Sequence, residues 1–328
     1  KYKFWKELII KTSKKYNCTY LSCNLLGNES GKVIYDGHVI VGHNGKLIGE
    51  NKRFSFDDYN LYIIDKKNYK KLDYENHYEE FFDAASLALF DYKRKSNCEG
   101  FVLSLSGGLD SSTVAIMVSE MIKRAIKNIG LDLFINRFKL KLNENEYKKI
   151  IKLKKKQLYK ELTKKILITA YQKSKNSTSK TLEAAKSISN FIGSKFYLWN
   201  IDNEVKSVTE KIEKVLKQKI TWKKNNLNKQ NIQSRMRSPM IWMLANIYNS
   251  LLLSTSNRSE SAVGYATMDG DTSGSIAPIA GINKIFIINA IKYAYQKLEQ
   301  LSMCPQIIKV KSEAYLQRGL NLIALNLK

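Results

Sequence analysis

Several ingredients are scarce in this 328-residue sequence, and each shortage narrows what the chain can be. It has three histidines, His38, His43 and His77, and four cysteines, Cys18, Cys23, Cys98 and Cys304, none of them in a CxxC. That spacing argues against a zinc site. It also lacks the disulfide framework of a small secreted domain, and there is no signal peptide. The glycosylation sequons at Asn17, Asn28, Asn176 and Asn257 would matter only in a secreted chain, so a cytoplasmic protein is expected. No apolar run approaches the roughly 18 residues of a membrane span. Acidic residues are few, 30 Asp+Glu against 55 Lys+Arg, for a net charge of +25. Such a balance invites nucleic acid or another polyanion. Yet arginine is also scarce, with eight in all, and a duplex reader needs arginine forks for bidentate base contacts. A nucleic-acid partner is therefore disfavoured, while small polyanions profit from the same field.

What is present, 44% hydrophobic and 11% aromatic residues, is enough for a sizeable core in one or two compact units. The chain opens on Lys1 in what reads as a helix already under way, so a segment upstream is expected. Residues 1 to about 56 carry short β-like runs, Val33–Val41 and Lys46–Gly49, with a turn signal at His43-Asn44-Gly45. Asp57 to Asn76 is polar and aperiodic, as a linker would be. His77–Lys95 then places Phe81, Ala84, Ala85, Leu87, Ala88 and Phe90 on one side of a helix. The strand Phe101–Leu105 leads into a glycine turn and an apolar helix. The alternation continues through strand Lys165–Tyr171, helix Ser179–Gly193, strand Lys195–Ile201, helix Arg235–Asn249 and strand Leu251–Ser256. Strands separated by helices of ten or more residues imply an α/β fold, a doubly wound parallel sheet covered on both faces. Ligands in such sheets bind beyond the carboxyl ends of the strands. The lysine-rich stretch Lys148–Lys165 has no Gly or Pro and reads as one solvated helix, with a basic arm as the functional alternative.

Two segments pass the strand-end filter. Ser106–Ser112, SGGLDSS, lies between a strand and a helix. Gly107 and Gly108 let the backbone turn so that N–H groups converge on one anion, and the helix start adds its positive dipole end. This is neither a GxxxxGK[ST] loop nor a GxGxxG fingerprint. Ser106, Ser111 and Ser112 offer hydroxyls, whereas Asp110 would repel a phosphate unless a cation such as Mg²⁺ lay between them. The structural alternative is a tight turn with Asp110 or Ser111 as helix cap. The second segment, Ser254–Asp271, places Thr255 at a strand end and Glu260 just beyond. Asp110 and Glu260 together suit a Mg²⁺ ion at a polyphosphate, the alternative for Glu260 being the first turn of a helix capped by Ser259.

These residues carry a resemblance. SGGLDS after a strand resembles the N-type ATP pyrophosphatases, a signature shared with GMP, asparagine and argininosuccinate synthetases and tRNA-thiolating enzymes. STSNRSE (Ser254–Glu260), GYATMDGD (Gly264–Asp271) and APIAGINK (Ala277–Lys284) are similar to the NAD synthetases specifically, as are QNIQSRMR (Gln230–Arg237), ITAYQKSKNSTSKT (Ile168–Thr181) and FDYKRK (Phe90–Lys95). The likeness is dense from about Tyr78 to Lys284. Cys23–Phe56 looks like the last strands of the nitrilase-like glutaminase domain of glutamine-dependent NAD synthetases. No counterpart of that domain's Glu-Lys-Cys triad is found here, and Cys18 and Cys23 read as buried strand cysteines. Lys309–Leu316 matches the family's usual C-terminal end poorly.

The resemblance implies three parts: residues 1–60 from the glutaminase domain, 61–76 a linker, and 77–328 the synthetase domain. It implies ATP-dependent amidation of deamido-NAD to NAD through an adenylated intermediate, with release of AMP and pyrophosphate, and ammonia drawn from glutamine in a full-length parent. Mg²⁺ is the implied metal, held by Asp110 and Glu260. ATP would meet Ser104, Leu105, Ser106, Gly107, Gly108, Leu109, Asp110, Ser111, Ser112 and Thr255. Deamido-NAD would meet Asn231, Arg235, Glu260, Tyr265, Ala266, Thr267, Met268 and Asp271, while Asp110 and Lys284 would carry the catalysis. Met268–Gly274 is the expected closing loop. A tRNA-modifying ATP pyrophosphatase and a non-catalytic nucleotide-binding assembly protein are the alternatives. The helix Arg235–Asn249 is apolar nearly all round, which suggests a homodimer or higher homo-oligomer, with burial inside one subunit as the alternative.

Overall fold

A computed structural model describes residues 2–29, 33–64, 72 and 76–300, with side chains to residue 294. Lys309–Leu316 and Cys304 lie outside the described residues. The chain divides into two units, Lys1–Asn97 with Glu120–Leu140, and Cys98–Ser119 with Lys141–Lys328.

In the first unit, α1 (Tyr2–Lys15) buries Ile9 and Ser13 on an antiparallel sheet. β1 (Thr19–Cys23) is followed by a separate ribbon, β2 (Leu26–Glu29) with β3 (Val33–Asp36), and then by β4 (Val39–His43) and β5 (Lys46–Glu50), giving the sheet order β1-β4-β5. The apolar run Val33–Val41 is thus two strands, broken where Gly37 takes a left-handed φ of +64°. The β4–β5 turn falls on Asn44 and Gly45, both left-handed, as a tight hairpin demands and an Asn-Gly pair tolerates. Cys23 is exposed and Cys18 half-buried, so the reading of both as buried strand cysteines is corrected. Cys18 precedes β1 and Cys23 ends it; β1 is a sheet edge, with most of its side chains facing water.

The helix α2 (His77–Ser96) starts where the Asn76 side chain accepts from the N–H groups of Tyr78 and Glu79. Its buried stripe runs through Phe82, Ser86, Leu89, Phe90 and Lys93. Spacing of three and four residues fixes that face. Phe81, Ala84, Ala85 and Ala88 fall to its flanks and are only half-buried, which corrects the stripe expected from sequence. Phe90 meets Phe56, Phe134 and Phe138 at ring separations of 5.2, 6.1 and 5.5 Å.

The second unit holds a four-stranded parallel sheet. β6 (Gly100–Ser104) runs into α3 (Leu109–Ile129), whose second half belongs to the first unit together with α4 (Leu131–Arg137). Then follow α5 (Glu144–Ile150), α6 (Lys155–Ile166), β7 (Leu167–Lys173), α7 (Ser179–Ile192), β8 (Lys195–Asn200), α8 (Asp202–Leu216), α9 (Trp222–Arg235), α10 (Ser238–Ile247), β9 (Ser250–Leu253), α11 (Arg258–Ala262) and α12 (Lys284–Gln300). The strand order is β8-β7-β6-β9 and every pairing is parallel. Alternate residues face opposite sides. Val102, Ile168, Ala170 and Leu252 pack on Ile241 and Ala245 of α10. Thr169 points the other way, its hydroxyl 3.0 Å from that of Ser194.

The lysine-rich stretch is not one solvated helix. It breaks between α5 and α6, and Leu158, Leu162 and Ile166, four residues apart, bury one face of α6 beneath the lysines. The helix expected from Arg235 starts at Ser238, where Pro239 sits in the first turn. Among the described residues no helix is long and apolar enough to cross a membrane.

Candidate active site

Two neighbouring strands, β6 and β9, deliver the two sequence motifs to the same edge of the sheet. After β6 the chain turns through Leu105–Gly108 into α3. Gly107 makes this possible with φ +74°, and a Cβ there would stand 2.3 Å from the Thr181 carbonyl oxygen. The Ser106 hydroxyl accepts from the Gly108 N–H at 3.2 Å and lies 3.0 Å from the Ser111 hydroxyl. Two hydroxyls thus line the loop where the first turn of α3 leaves N–H groups without helical partners. Ser104 and Ser106 border the cavity described below, and Ser112 is half-buried one turn into the helix. Leu105 is wholly buried and donates its N–H to Ala170, while Leu109 begins α3.

After β9, Thr255 is half-buried and Asn257 caps α11. Asn257, rather than Ser259, is the cap: its side chain accepts from the Glu260 N–H, and Glu260 Oε2 accepts from the Asn257 N–H at 3.3 Å. Asn257 also donates from Nδ2 to Asp110 Oδ1 at 3.2 Å, tying the two loops together. Lys284, at the start of α12, donates its N–H to the Ser259 hydroxyl and its ammonium to Asp110 Oδ2. The same Nζ is 3.9 Å from Glu260 Oε1. Asp110, Glu260 and Lys284 therefore converge although they lie far apart in sequence. Partial burial pushes the Glu260 carboxyl above its usual range, and the negative Asp110 adds to this. Among the described residues no group of three or more His, Cys, Asp and Glu could hold a metal alone. Two hard carboxylates fit an ion such as Mg²⁺, which keeps waters and takes substrate phosphates as its other ligands.

The other candidates form a second cluster. Thr267 donates from its hydroxyl to Asn231 Oδ1 at 3.1 Å and from its N–H to Asp271 Oδ2 at 3.1 Å. Arg235 Nε donates to the Met268 carbonyl at 3.1 Å. Tyr265 and Met268 are exposed, and Ala266 is half-buried between them. The segment expected to close over the site is held by three hydrogen bonds. Ser238 donates to the Asp269 carbonyl at 2.6 Å, Trp242 Nε1 donates to the Ser273 hydroxyl at 2.6 Å, and Ser254 donates to the Asp271 carbonyl at 3.2 Å.

A cavity of about 400 Å³ is bordered by Ser104 and Ser106, by Thr255, by Gln233 and Arg237, and by Asp271. Asp110, Glu260 and Lys284 do not line it, nor do Asn231, Arg235 and Tyr265–Met268. Sequence reasoning missed Tyr171, Gln172, Thr181, Gln233 and Arg237, all of which border it. Their signal was position. Tyr171 and Gln172 end strand β7, and Thr181 opens α7, so the strand-end rule that selected Ser106 and Thr255 applies to them equally.

A family model described as NAD synthase matches residues 82–321. A crystal structure of a glutamine-dependent NAD(+) synthetase from Cytophaga hutchinsonii is similar at 44% identity and a TM-score of 0.84, covering 92% of this chain and 50% of that one. Curated relatives include the glutamine-dependent NAD(+) synthetase of Aquifex aeolicus, 27% identical over 89% of this chain and 50% of its own length. That of Macaca fascicularis is 26% identical over 95% of this chain and 51% of its own. The chain spans about half the length of the curated relatives it matches.

Proposed function

We infer the activity from one premise: the chain belongs to the NAD synthase family. On this reading it converts deamido-NAD to NAD, using ATP to activate the nicotinate carboxylate and ammonia to displace AMP. The observation that carries the reading is the meeting of Asp110, Glu260 and Lys284 beside the Ser106–Ser112 loop, at the carboxyl ends of two adjacent strands. It is a place built to manage phosphate charge.

In the first step a carboxylate oxygen of the nicotinate bonds to the α-phosphorus of ATP and the bond to the pyrophosphate oxygen breaks. The mixed anhydride forms and pyrophosphate leaves. In the second, ammonia adds to the carbonyl carbon, loses a proton and expels AMP. No protein nucleophile is needed, so the residues act by position and charge. Hydroxyls of Ser106 and Ser111, with the start of α3, hold phosphate oxygens, and the adenosine lies along the cavity toward Thr255. Asp110 and Glu260 would hold Mg²⁺, which would supply neutralisation of phosphate charge. Lys284 gives up its contact with Asp110 to meet charge developing on the nucleotide. Asn231, Arg235, Tyr265–Met268 and Asp271 receive deamido-NAD.

Residues 1–60 read as the tail of a nitrilase-like glutaminase domain, 61–76 as a linker and 77–328 as the synthetase domain, in a cytoplasmic enzyme. The synthetase step takes ammonia directly, and in a full-length parent that ammonia would be drawn from glutamine. The test incubates the purified chain with deamido-NAD, ATP and Mg²⁺, and measures NAD and AMP with ammonium or with glutamine under ammonia scavenging. NAD from ammonium alone supports the reading. Synthesis from glutamine overturns the assignment of the amide source. No turnover together with tight tRNA retention on filters would favour a tRNA-modifying relative.

A further inference from the structure

Within the cavity, Arg237 and Asp271 are the only charged residues among the described ones that line it; the rest of the wall is serine, threonine, amide, tyrosine, aliphatic and glycine. A wall of neutral hydroxyls and amides suits nucleoside and ribose, and a lone guanidinium in it marks the place of an anion. Arg237 is half-buried just before α10, and Nη1 donates to the Gln233 carbonyl at 3.2 Å. Among the described residues its guanidinium makes no ion pair. Burial holds its charge less firmly than usual, and Asp271 only partly compensates. A desolvated arginine without a carboxylate partner is costly unless a ligand completes it.

We propose that Arg237 is the residue that recognises the acid group of the deamidated nucleotide and so distinguishes the acid substrate from its amide product. The inference rests on the amidation reading above. With the ATP phosphates assigned to the Ser106–Ser112 loop and Lys284, the anions that remain are the diphosphate, which deamido-NAD and NAD share, and the nicotinate carboxylate, which NAD lacks; the planar carboxylate is the one assigned to Arg237. Planar guanidinium and planar carboxylate match as a fork. Ser106 and Arg237 border the same cavity, so an acid group held at Arg237 faces the phosphate loop, one oxygen held while the other attacks. Adenylation removes the carboxylate's charge and amidation replaces one of its oxygens with an NH₂ donor. Neither product form matches the fork, which favours release of NAD.

The test is calorimetric titration of the full chain with deamido-NAD, with NAD and with a non-hydrolysable ATP analogue, on wild type, Arg237→Gln and Arg237→Lys. Wild type should prefer the acid nucleotide. Arg237→Gln should weaken deamido-NAD about 10- to 100-fold, the range for losing a hydrogen-bonded charge pair, and leave NAD and the ATP analogue within about twofold. Arg237→Lys keeps the charge without the fork and should lose part of the preference. It also serves as the informative variant if Arg237→Gln fails to fold. Equal losses for acid and amide nucleotides, a loss confined to the ATP analogue, or no loss at all would each overturn the proposal. Wild type that binds neither pyridine nucleotide and forms no NAD from ammonium would instead remove the reading beneath it.

Discussion

Replacing Asp110 by Asn removes one charge and almost no volume, and the structure lets its two consequences be separated. For stability, the lost attraction is to Lys284, whose side chain is 36% exposed against 18% for Asp110. A pair this wet contributes about 0–1 kcal/mol after solvent screening. The variant's carbonyl oxygen still accepts from Asn257, so the link between the two loops remains. Glu260 is relieved of a neighbouring negative charge, which works in the opposite direction. The net change should stay within about 1 kcal/mol, a shift in Tm of roughly 2–4 °C or less for a chain of this size. For activity, the residue assigned to the metal ion at the phosphates has lost its charge, and loss of one such preorganised electrostatic partner lowers turnover about 10²–10³-fold. The assay follows AMP and NAD formation with saturating ammonium, beside a thermal melt of the same preparation. A folded Asp110→Asn protein turning over within about threefold of wild type would refute the placing of Asp110 at the phosphates. The double variant with Lys284→Ala should be little worse than the worse single one, because the two act as a unit.

Gly107→Ala should destabilise by about 2–5 kcal/mol in urea unfolding, since left-handed strain adds to a Cβ placed 2.3 Å from the Thr181 oxygen; an unchanged midpoint would mean that the loop relaxes freely. Glu260→Gln should stabilise the protein at neutral pH. The folded carboxyl binds its proton more tightly than the unfolded one, so wild-type stability falls as pH rises from the ordinary carboxylate range through the raised folded value, and the variant should lack that fall. Parallel slopes of Tm against pH would disprove it. Met243 and Ile247, 65% and 67% exposed on α10, are expected to be covered in a homodimer; light scattering of wild type at micromolar concentration should give a dimer and Met243→Glu with Ile247→Glu a monomer, and a monomeric wild type ends that reading.

The parallel sheet was legible because its strands are short, apolar and separated by amphipathic helices, so periodicity alone separates the elements. The lysine stretch was misread for a physical reason. Composition is averaged over all faces of a helix, and the buried row Leu158, Leu162, Ile166 is only every fourth residue among lysines that remain in water. For α10 the same averaging hid a division within the helix. Ile241 and Ala245 are fully buried on the sheet while Met243 and Ile247 face out, although all four look alike in sequence. Hydrophobicity states that a face must be covered, not by what.

The candidate site was legible where chemistry depends on backbone shape. A glycine pair between a strand and a helix can be read as an anion cradle because few other uses need that turn. Glu260 shows the limit of such reading. Its Oε2 closes the capping box while its Oε1 lies 3.9 Å from Lys284 Nζ, so capping the helix leaves one oxygen for the proposed metal contact. Arg237 lies in the same sequence motif as Arg235, and two arginines two residues apart cannot be ranked from sequence. In a helix they would diverge by about 200°, and here the chain leaves α9 between them. That small change of direction sends Arg235 to the solvent side, against Met268, and Arg237 into the cavity wall, where a fixed charge has neither water nor carboxylate enough to satisfy it.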